Sequence, residues 1–205
     1  MRHPLAGLAL ALAPALSARP AAAQSAAPVL PAAPAAALRV LALPVPERVG
    51  RYVRGERTDF GSPTGGVGYV FAAPEDSGRT RVNAYVYERE PERRDEPAAE
   101  ALAGVAATFR QALEVERARG MVQAYQVALE APDSVALGGG RAAVPGRRVA
   151  VAMRLRGRAF LSWFLLYAVG DGFVKVRATI PAEGFERSDV EAFAHELVRR
   201  VVAGR

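Results

Sequence analysis

The amino-acid sequence predicts an α+β domain in which a largely antiparallel sheet of about six to seven strands is accompanied by two amphipathic helices. Strand-like segments follow one another through short, glycine-containing joints, which favours antiparallel pairing of neighbours. Only two segments carry the three- and four-residue apolar spacing of a helix. The order βββ-α-ββββ-α lacks the strand-helix-strand alternation of a parallel sheet, so we expect a three-layer α/β/α sandwich.

The first forty residues indicate export and a spacer. A basic start at Arg2 and His3 precedes an apolar run, and small residues at 21–23 match the pattern that signal peptidase cleaves. The run is shorter than the roughly 20 residues that span a bilayer, so we expect residues 1–23 to be removed before Gln24. Residues 24–40 are mostly Ala and Pro and predict a disordered spacer, which leaves 41–205 as one domain.

Three strands open this domain, at 51–58, 67–71 and 82–87. The first is short and charged, as a surface or edge strand would be. The third has a clean period of two, which indicates that one side of the strand is apolar and the other polar or aromatic. The apolar side comprises Val82, Ala84 and Val86, and the other side comprises Asn83, Tyr85 and Tyr87.

The first helix follows the charged segment 88–96, with Asp95 as the candidate N-cap and Gly120 as the residue that ends it. Its apolar face comprises Leu102, Val105, Phe109 and Leu113. Residues 121–129 alternate as a strand, and the glycine-rich stretch 133–146 predicts a loop or a weak edge strand. The members of that strand expected on one face are Met121, Tyr125, Val127 and Leu129.

Three strands at 147–156, 159–169 and 173–180 then form a meander, because the joints at Gly157 and at 170–172 are short and contain glycine. The final helix is the clearest element, since its apolar residues recur on one face. They are Val190, Phe193, Ala194, Leu197, Val198 and Val201.

The strand 159–169 is apolar at both parities, which is typical of a strand covered on both faces. If both hairpin loops have two residues, Trp163 and Tyr167 share a face with Val174, whereas a three-residue loop would reverse one pairing. Helices on opposite faces would cover the strand. The alternative places both helices on one face and leaves an apolar groove beside Lys175 and Arg177, suited to an amphiphile with an anionic head or to a partner segment.

Composition excludes thiol chemistry and gives little support for nucleic-acid binding. The 205 residues contain no cysteine, which removes disulfides, thiolate metal sites and cysteine nucleophiles. Lysine and arginine total 27, but Lys175 is the only lysine, and heavy use of Arg, Ala, Gly and Pro is what a GC-rich genome produces. Acidic residues are interleaved with the basic ones, whereas a nucleic-acid footprint is clustered. We expect no nucleic-acid partner.

Motifs that would indicate catalysis are missing from the sequence. It has neither a Gly-x-Ser-x-Gly elbow nor a P-loop. After cleavage the only histidine is His195, which we expect on the solvated face of the last helix, because other residues carry the apolar face. The sequence therefore predicts a non-enzymatic protein without a cofactor or a metal, and a hydrolase is the least favoured alternative.

Four segments carry a resemblance: RGERTDF, GVGYVF, VNAYVYERE and FLSWFLLYAVGDGFVKVRATIP. Their order resembles that of small uncharacterised exported proteins of Proteobacteria, over about residues 51–204. The topology is more distantly similar to PsbP-type domains. That resemblance implies a binding or assembly module without catalysis, and it assigns no functional residue.

The sequence leaves two functions open for a periplasmic or secreted domain. The first is a module that binds an envelope protein partner or supports envelope assembly. The second is a carrier of an apolar or amphiphilic ligand held between sheet and helix. The candidate ligand- or partner-binding residues are Trp163, Tyr167, Lys175 and Arg177. A cavity beside Trp163 and Tyr167 would favour the carrier, and a filled core there would favour the partner-binding module.

Overall fold

The structure is a computed structural model that describes residues 39–61, 65–76, 80–183 and 187–204. Its strands are β1 Arg48–Val49, β2 Tyr52–Asp59, β3 Gly66–Ala72, β4 Arg81–Glu88, β5 Ala124–Val135, β6 Val144–Leu155, β7 Arg158–Val169 and β8 Gly172–Pro181. Its helices are α1 Ala98–Ala118 and α2 Arg187–Ala203. The predicted signal peptide and nearly all of the predicted spacer lie outside the described residues.

The fold is α+β with an antiparallel sheet, as predicted. The eight strands of the described residues form one sheet in the order β1-β2-β3-β4-β8-β7-β6-β5, and each neighbouring pair is antiparallel. The count slightly exceeds the prediction because the two-residue β1 is too short to show a period. After β4 the chain passes through α1 to the far edge at β5, and the meander then returns β8 to the side of β4.

The helices cover opposite faces of the sheet, so the three-layer arrangement is confirmed. On one face α2 packs over Trp163, Leu165 and Tyr167 of β7. On the other face α1 packs over Phe164 and Leu166, which alternate with them along the same strand. The alternative with both helices on one face is wrong. Burying β7 on both sides explains why both of its parities are apolar.

Both hairpin loops of the meander have two residues, as the predicted face assignment requires. Arg156 and Gly157 have φ of 49° and 79°, the left-handed backbone that a two-residue hairpin turn favours. Tyr167 consequently lies beside Val174, and Trp163 and Tyr167 share the face of the α2 core, as predicted.

The start of α1 differs from the prediction. The helix begins at Ala98 after Pro97, and no side chain caps it, so the prediction that Asp95 is the N-cap is wrong. Proline pre-sets a backbone angle compatible with helix entry and lacks the N–H that would need a partner. The C-terminal end of α1 is as predicted, because Gly120 follows the helix with a φ of 71° and ends it.

Strand β5 begins later than predicted and continues into the stretch expected to be a loop. An irregularity between Val127 and Leu129 shifts its register against β6. Tyr125 and Val127 therefore face α1, whereas Leu129 packs in the α2 core. The prediction that these side chains share a face is wrong, because one inserted residue inverts the alternation. Met121 precedes the strand and is 40% exposed.

The folded region includes the last residue of the predicted spacer. Val40 is fully buried, and its backbone N–H donates a hydrogen bond to Asp171 Oδ1 at 2.8 Å. An added Cβ at Gly172 would lie 2.3 Å from Val40 Cγ1, so glycine at this position makes room for the chain. Within the described residues, no helix combines the length and the hydropathy that a membrane span requires.

Candidate functional site

Helix α1 covers only part of the sheet face on which it lies. It packs against β6 and β7, and on the same face β4 and β8 carry half-buried side chains such as Tyr85 and Lys175. We call this surface the basic-aromatic patch. It comprises Phe60, Tyr85, Tyr87, Lys175 and Arg177, together with the buried ring of Phe109 from α1, which lies beside Arg177.

Lys175 lies at the centre of the basic-aromatic patch because β8 is flanked by β4 and β7. Its direct neighbours across the two ladders are Tyr85 and Leu166. Its Nζ lies 4.3 Å from the ring centroid of Tyr85 and 5.3 Å from that of Tyr87, within the range of cation–π attraction. Two aromatic faces thus replace part of the water around the ammonium group.

Arg177 presents a second positive charge on the same face, two residues and roughly 7 Å further along β8. Its Cζ lies 5.7 Å from the ring centroid of Phe109, which α1 contributes. Within the part of the chain that the structure describes, no carboxylate lies within ion-pair distance of Lys175 or Arg177, although Glu116 acts on Arg177 from further away. Two neighbouring half-buried cations thus lack a contacting counter-charge.

Several other half-buried arginines are paired with carboxylates, and the buried Arg89 donates from Nη1 to the backbone oxygen of Glu96 at 3.0 Å. Arg110 of α1 and Arg147 of β6 share the carboxylate of Glu130 at 2.6 and 2.7 Å. Arg148 lies 3.3 Å from Glu191. A half-buried charge without a contacting carboxylate costs desolvation energy that an ion pair would offset, which makes Lys175 and Arg177 the candidates for binding an external anion.

Burial shifts the pKa values of these groups. Desolvation, with a smaller contribution from the charge of Arg177, lowers the pKa of Lys175 to about 8. Burial also lowers the pKa of Arg177 and raises the pKa values of Tyr85 and Tyr87. The phenols are consequently neutral near pH 7, and the patch carries the two positive charges that an anion would meet.

An apolar surface adjoins the two cations on the β3 side. It is formed by the ring of Phe60 lying over Gly68, and we call it the apolar shelf. Gly68 pairs with Tyr85 in the ladder, and a Cβ added at Gly68 would lie 2.7 Å from Cε2 of Phe60. The absence of a side chain there allows the Phe60 ring to lie on the strand, 5.9 Å from the ring of Tyr85. Phe60 is nevertheless 44% exposed, so the shelf can contact the apolar part of a ligand.

The structure divides the four candidate residues between the two faces. Lys175 and Arg177 lie together in the basic-aromatic patch. Trp163 and Tyr167 lie on the opposite face beneath α2, where they are 1% and 0% exposed. The buried side chains of Trp163 and Tyr167 therefore cannot touch the same ligand as the two cations.

Tyr167 instead belongs to a polar cluster that joins α2 to β5. Its hydroxyl donates to Asp133 Oδ2 at 2.7 Å, and Nε2 of His195 lies 3.0 Å from the same oxygen. Burial acts to raise the pKa of Asp133, but hydrogen bonds from His195, Tyr167 and the Ser134 backbone outweigh it and hold that pKa below its ordinary value. The His195 side chain is 30% exposed, but the bulge in β5 also turns Asp133 towards it, and the sequence did not predict this contact.

Sequence reasoning did not identify Phe60, Gly68 and Phe109 as parts of a site. Gly66 and Gly68 alternate within β3, and such a pattern indicates a strand face without side chains. It could have drawn attention to the shelf. Nothing local could have placed Phe109 beside Arg177, because that contact depends on where α1 crosses the sheet.

No protein-family model and no curated protein matches the chain. The solved structures that it resembles include a protein of unknown function from Pseudomonas aeruginosa, proposed there to be a regulator. That likeness has a TM-score of 0.37 and 11% sequence identity, and it covers 66% of this chain and 90% of the other. Similarity this low assigns no activity, and the resemblance to PsbP-type domains stays a prediction.

Proposed function

We propose that the protein is an exported, non-enzymatic binding domain of the bacterial periplasm that binds an organic anion at its basic-aromatic patch. The observation that supports this function is the pair of half-buried cations, Lys175 and Arg177, without a contacting carboxylate among the described residues. Export rests on the N-terminal sequence pattern alone.

The geometry favours an open surface site over an enclosed carrier cavity. Trp163 and Tyr167 are 1% and 0% exposed beneath α2, so neither side chain presents a surface to a ligand there. The patch offers a planar aromatic setting, with the rings of Tyr85, Tyr87 and Phe60 close to the two cations. A ligand or partner group with a carboxylate and an adjacent apolar moiety fits this combination.

A calorimetric titration with 3-phenylpropanoate tests the proposal. We expect the carboxylate to bind and its neutral amide to bind at least about tenfold more weakly, because a hydrogen bond to a charged group contributes about 1.5 to 3 kcal/mol. The Arg177→Gln variant should weaken binding of the carboxylate by about 10- to 100-fold for the same reason.

The matched control is Arg141→Gln, since Arg141 is an exposed arginine in the loop after β5. It removes the same charge from the chain without touching the patch, and binding should change by less than about twofold. An equal loss of affinity in Arg177→Gln and Arg141→Gln would mean that the net charge of the protein, and not the patch, determines binding. Equal affinity for the acid and its amide would contradict the proposed anion site.

Anion binding should also weaken as the pH rises through about 8, because Lys175 then loses its proton. The groups that face it do not oppose this trend: Tyr85 and Tyr87 stay neutral through this range, and Arg177 stays charged. Between about pH 7 and about pH 9.5 we expect a roughly tenfold loss of affinity. The loss should be absent from Lys175→Arg, and a wild-type affinity that does not change would argue against Lys175 as a ligand-binding charge.

A further inference from the structure

Lys175 is chemically unique in this chain. It is the only lysine among 27 basic residues, so its ε-amine is the only side-chain amine of the protein. It is half-buried between two tyrosine rings and lies next to another cation. A desolvated lysine beside a second positive charge is the arrangement that makes an amine nucleophilic near neutral pH.

We propose that Lys175 captures a 2-oxo acid as a reversible imine, with Arg177 holding the carboxylate of that acid. This inference rests on the proposed anion site and specifies the class of its ligand. The carbonyl carbon of a 2-oxo acid is bonded directly to its carboxylate, and the two cationic side chains project from the same face of β8, roughly 7 Å apart at the backbone. A flexible lysine can therefore reach the carbonyl carbon of an acid that the guanidinium has bound.

The step balances without an external oxidant or reductant. The lone pair of the neutral Nζ attacks the carbonyl carbon, and the carbonyl oxygen takes up a proton to give a carbinolamine. The nitrogen then loses its proton, the hydroxyl group leaves as water after protonation, and a C=N bond forms. One water molecule is released for each imine, and hydrolysis reverses the reaction.

The surroundings of Lys175 suit such an adduct. Among the described residues no carboxylate contacts the amine and holds it as an ammonium ion. Burial lowers the pKa of Lys175 to about 8, so roughly one tenth of the amine is neutral near pH 7, far more than for an ordinary lysine. The exposed Phe60 and the ring of Tyr85 lie beside the site and can contact the apolar part of a 2-oxo acid that carries an aromatic group.

The test is reductive trapping of the whole protein with phenylpyruvate and cyanoborohydride, followed by intact-mass measurement and peptide mapping. We expect one adduct per chain, heavier than the protein by the acid less one water plus two hydrogens, on the peptide that contains Lys175. Lys175→Arg should give none, and Arg141→Gln should react like wild type. Pyruvate, which lacks the ring, should react at least several-fold more slowly.

Phenyllactate separates this inference from the proposed function, because a hydroxyl group replaces the carbonyl and no imine can form. Binding of phenyllactate without trapping of phenylpyruvate would overturn the imine and leave the anion site intact. Failure of both acids to bind would overturn both proposals. An adduct found only on the terminal α-amine would likewise contradict the role of Lys175. Trapping that increases between about pH 7 and about pH 9, opposite to phenyllactate binding, would support it.

Discussion

Replacement of Trp163 with alanine is expected to lower the free energy of unfolding by about 3 to 5 kcal/mol. Trp163 is 1% exposed and packs in the core between β7 and α2, so its removal leaves a cavity that the surrounding side chains can only partly fill. Urea denaturation followed by far-ultraviolet circular dichroism measures the change. The same substitution should leave 3-phenylpropanoate binding to the folded protein unchanged, because the patch lies on the opposite face.

Met121→Ala is the control for this experiment. Met121 is 40% exposed and lies before β5, and exposed substitutions usually change stability by less than about 0.5 kcal/mol. A loss below about 1 kcal/mol for Trp163→Ala would mean that the α2 core is not packed as described. A loss of 3-phenylpropanoate binding in the folded Trp163→Ala protein would mean that Trp163 belongs to the ligand site after all.

Replacement of Asp133 with alanine should cost about 1 to 3 kcal/mol of stability, since it leaves the buried hydroxyl of Tyr167 without its acceptor. It also removes the contact between β5 and His195 of α2. Asp133→Asn keeps one oxygen acceptor and should cost less. Urea denaturation of wild type, Asp133→Asn and Asp133→Ala at pH 7 measures their order of stability. Equal stability of wild type and Asp133→Ala would contradict a stabilising role of the cluster.

The dependence of stability on pH at acidic values gives an independent test of the cluster around Asp133. Because the pKa of Asp133 is lowered in the folded protein, its carboxylate contributes stability that is fully present above the unfolded-state value of about 3.9 and is lost as the pH falls through the lower folded value. The difference between wild type and Asp133→Asn should therefore shrink below about pH 4. A difference that stays constant down to about pH 2 would contradict an ionised Asp133 in the folded state.

The order of the elements, the class of the fold and the faces of β7 could be predicted from the sequence, because local patterns encode them. A period of two assigns alternate side chains to opposite faces. Two-residue turns such as Arg156-Gly157 then fix the register between neighbours, so the common face of Trp163, Tyr167 and Val174 followed from counting residues. Lys175 and Arg177 could be assigned to one face of β8 by the same argument.

The candidate site itself depended on long-range packing. Lys175 meets Tyr85 only because the meander returns β8 to the side of β4, a pairing that no local pattern specifies. The position of α1 over β6 and β7 decides that this part of the face stays open and that Arg177 lies near Phe109.

The sequence by itself thus determined which side chains share a face, because turn length and side-chain alternation act between neighbours along the chain. The tertiary structure decided which faces meet and which charges stay without a counter-ion. One inserted residue in β5 illustrates the difference. It reverses the alternation and turns Asp133 towards His195. The two residues are far apart in the sequence, and no local pattern at either one predicts their contact.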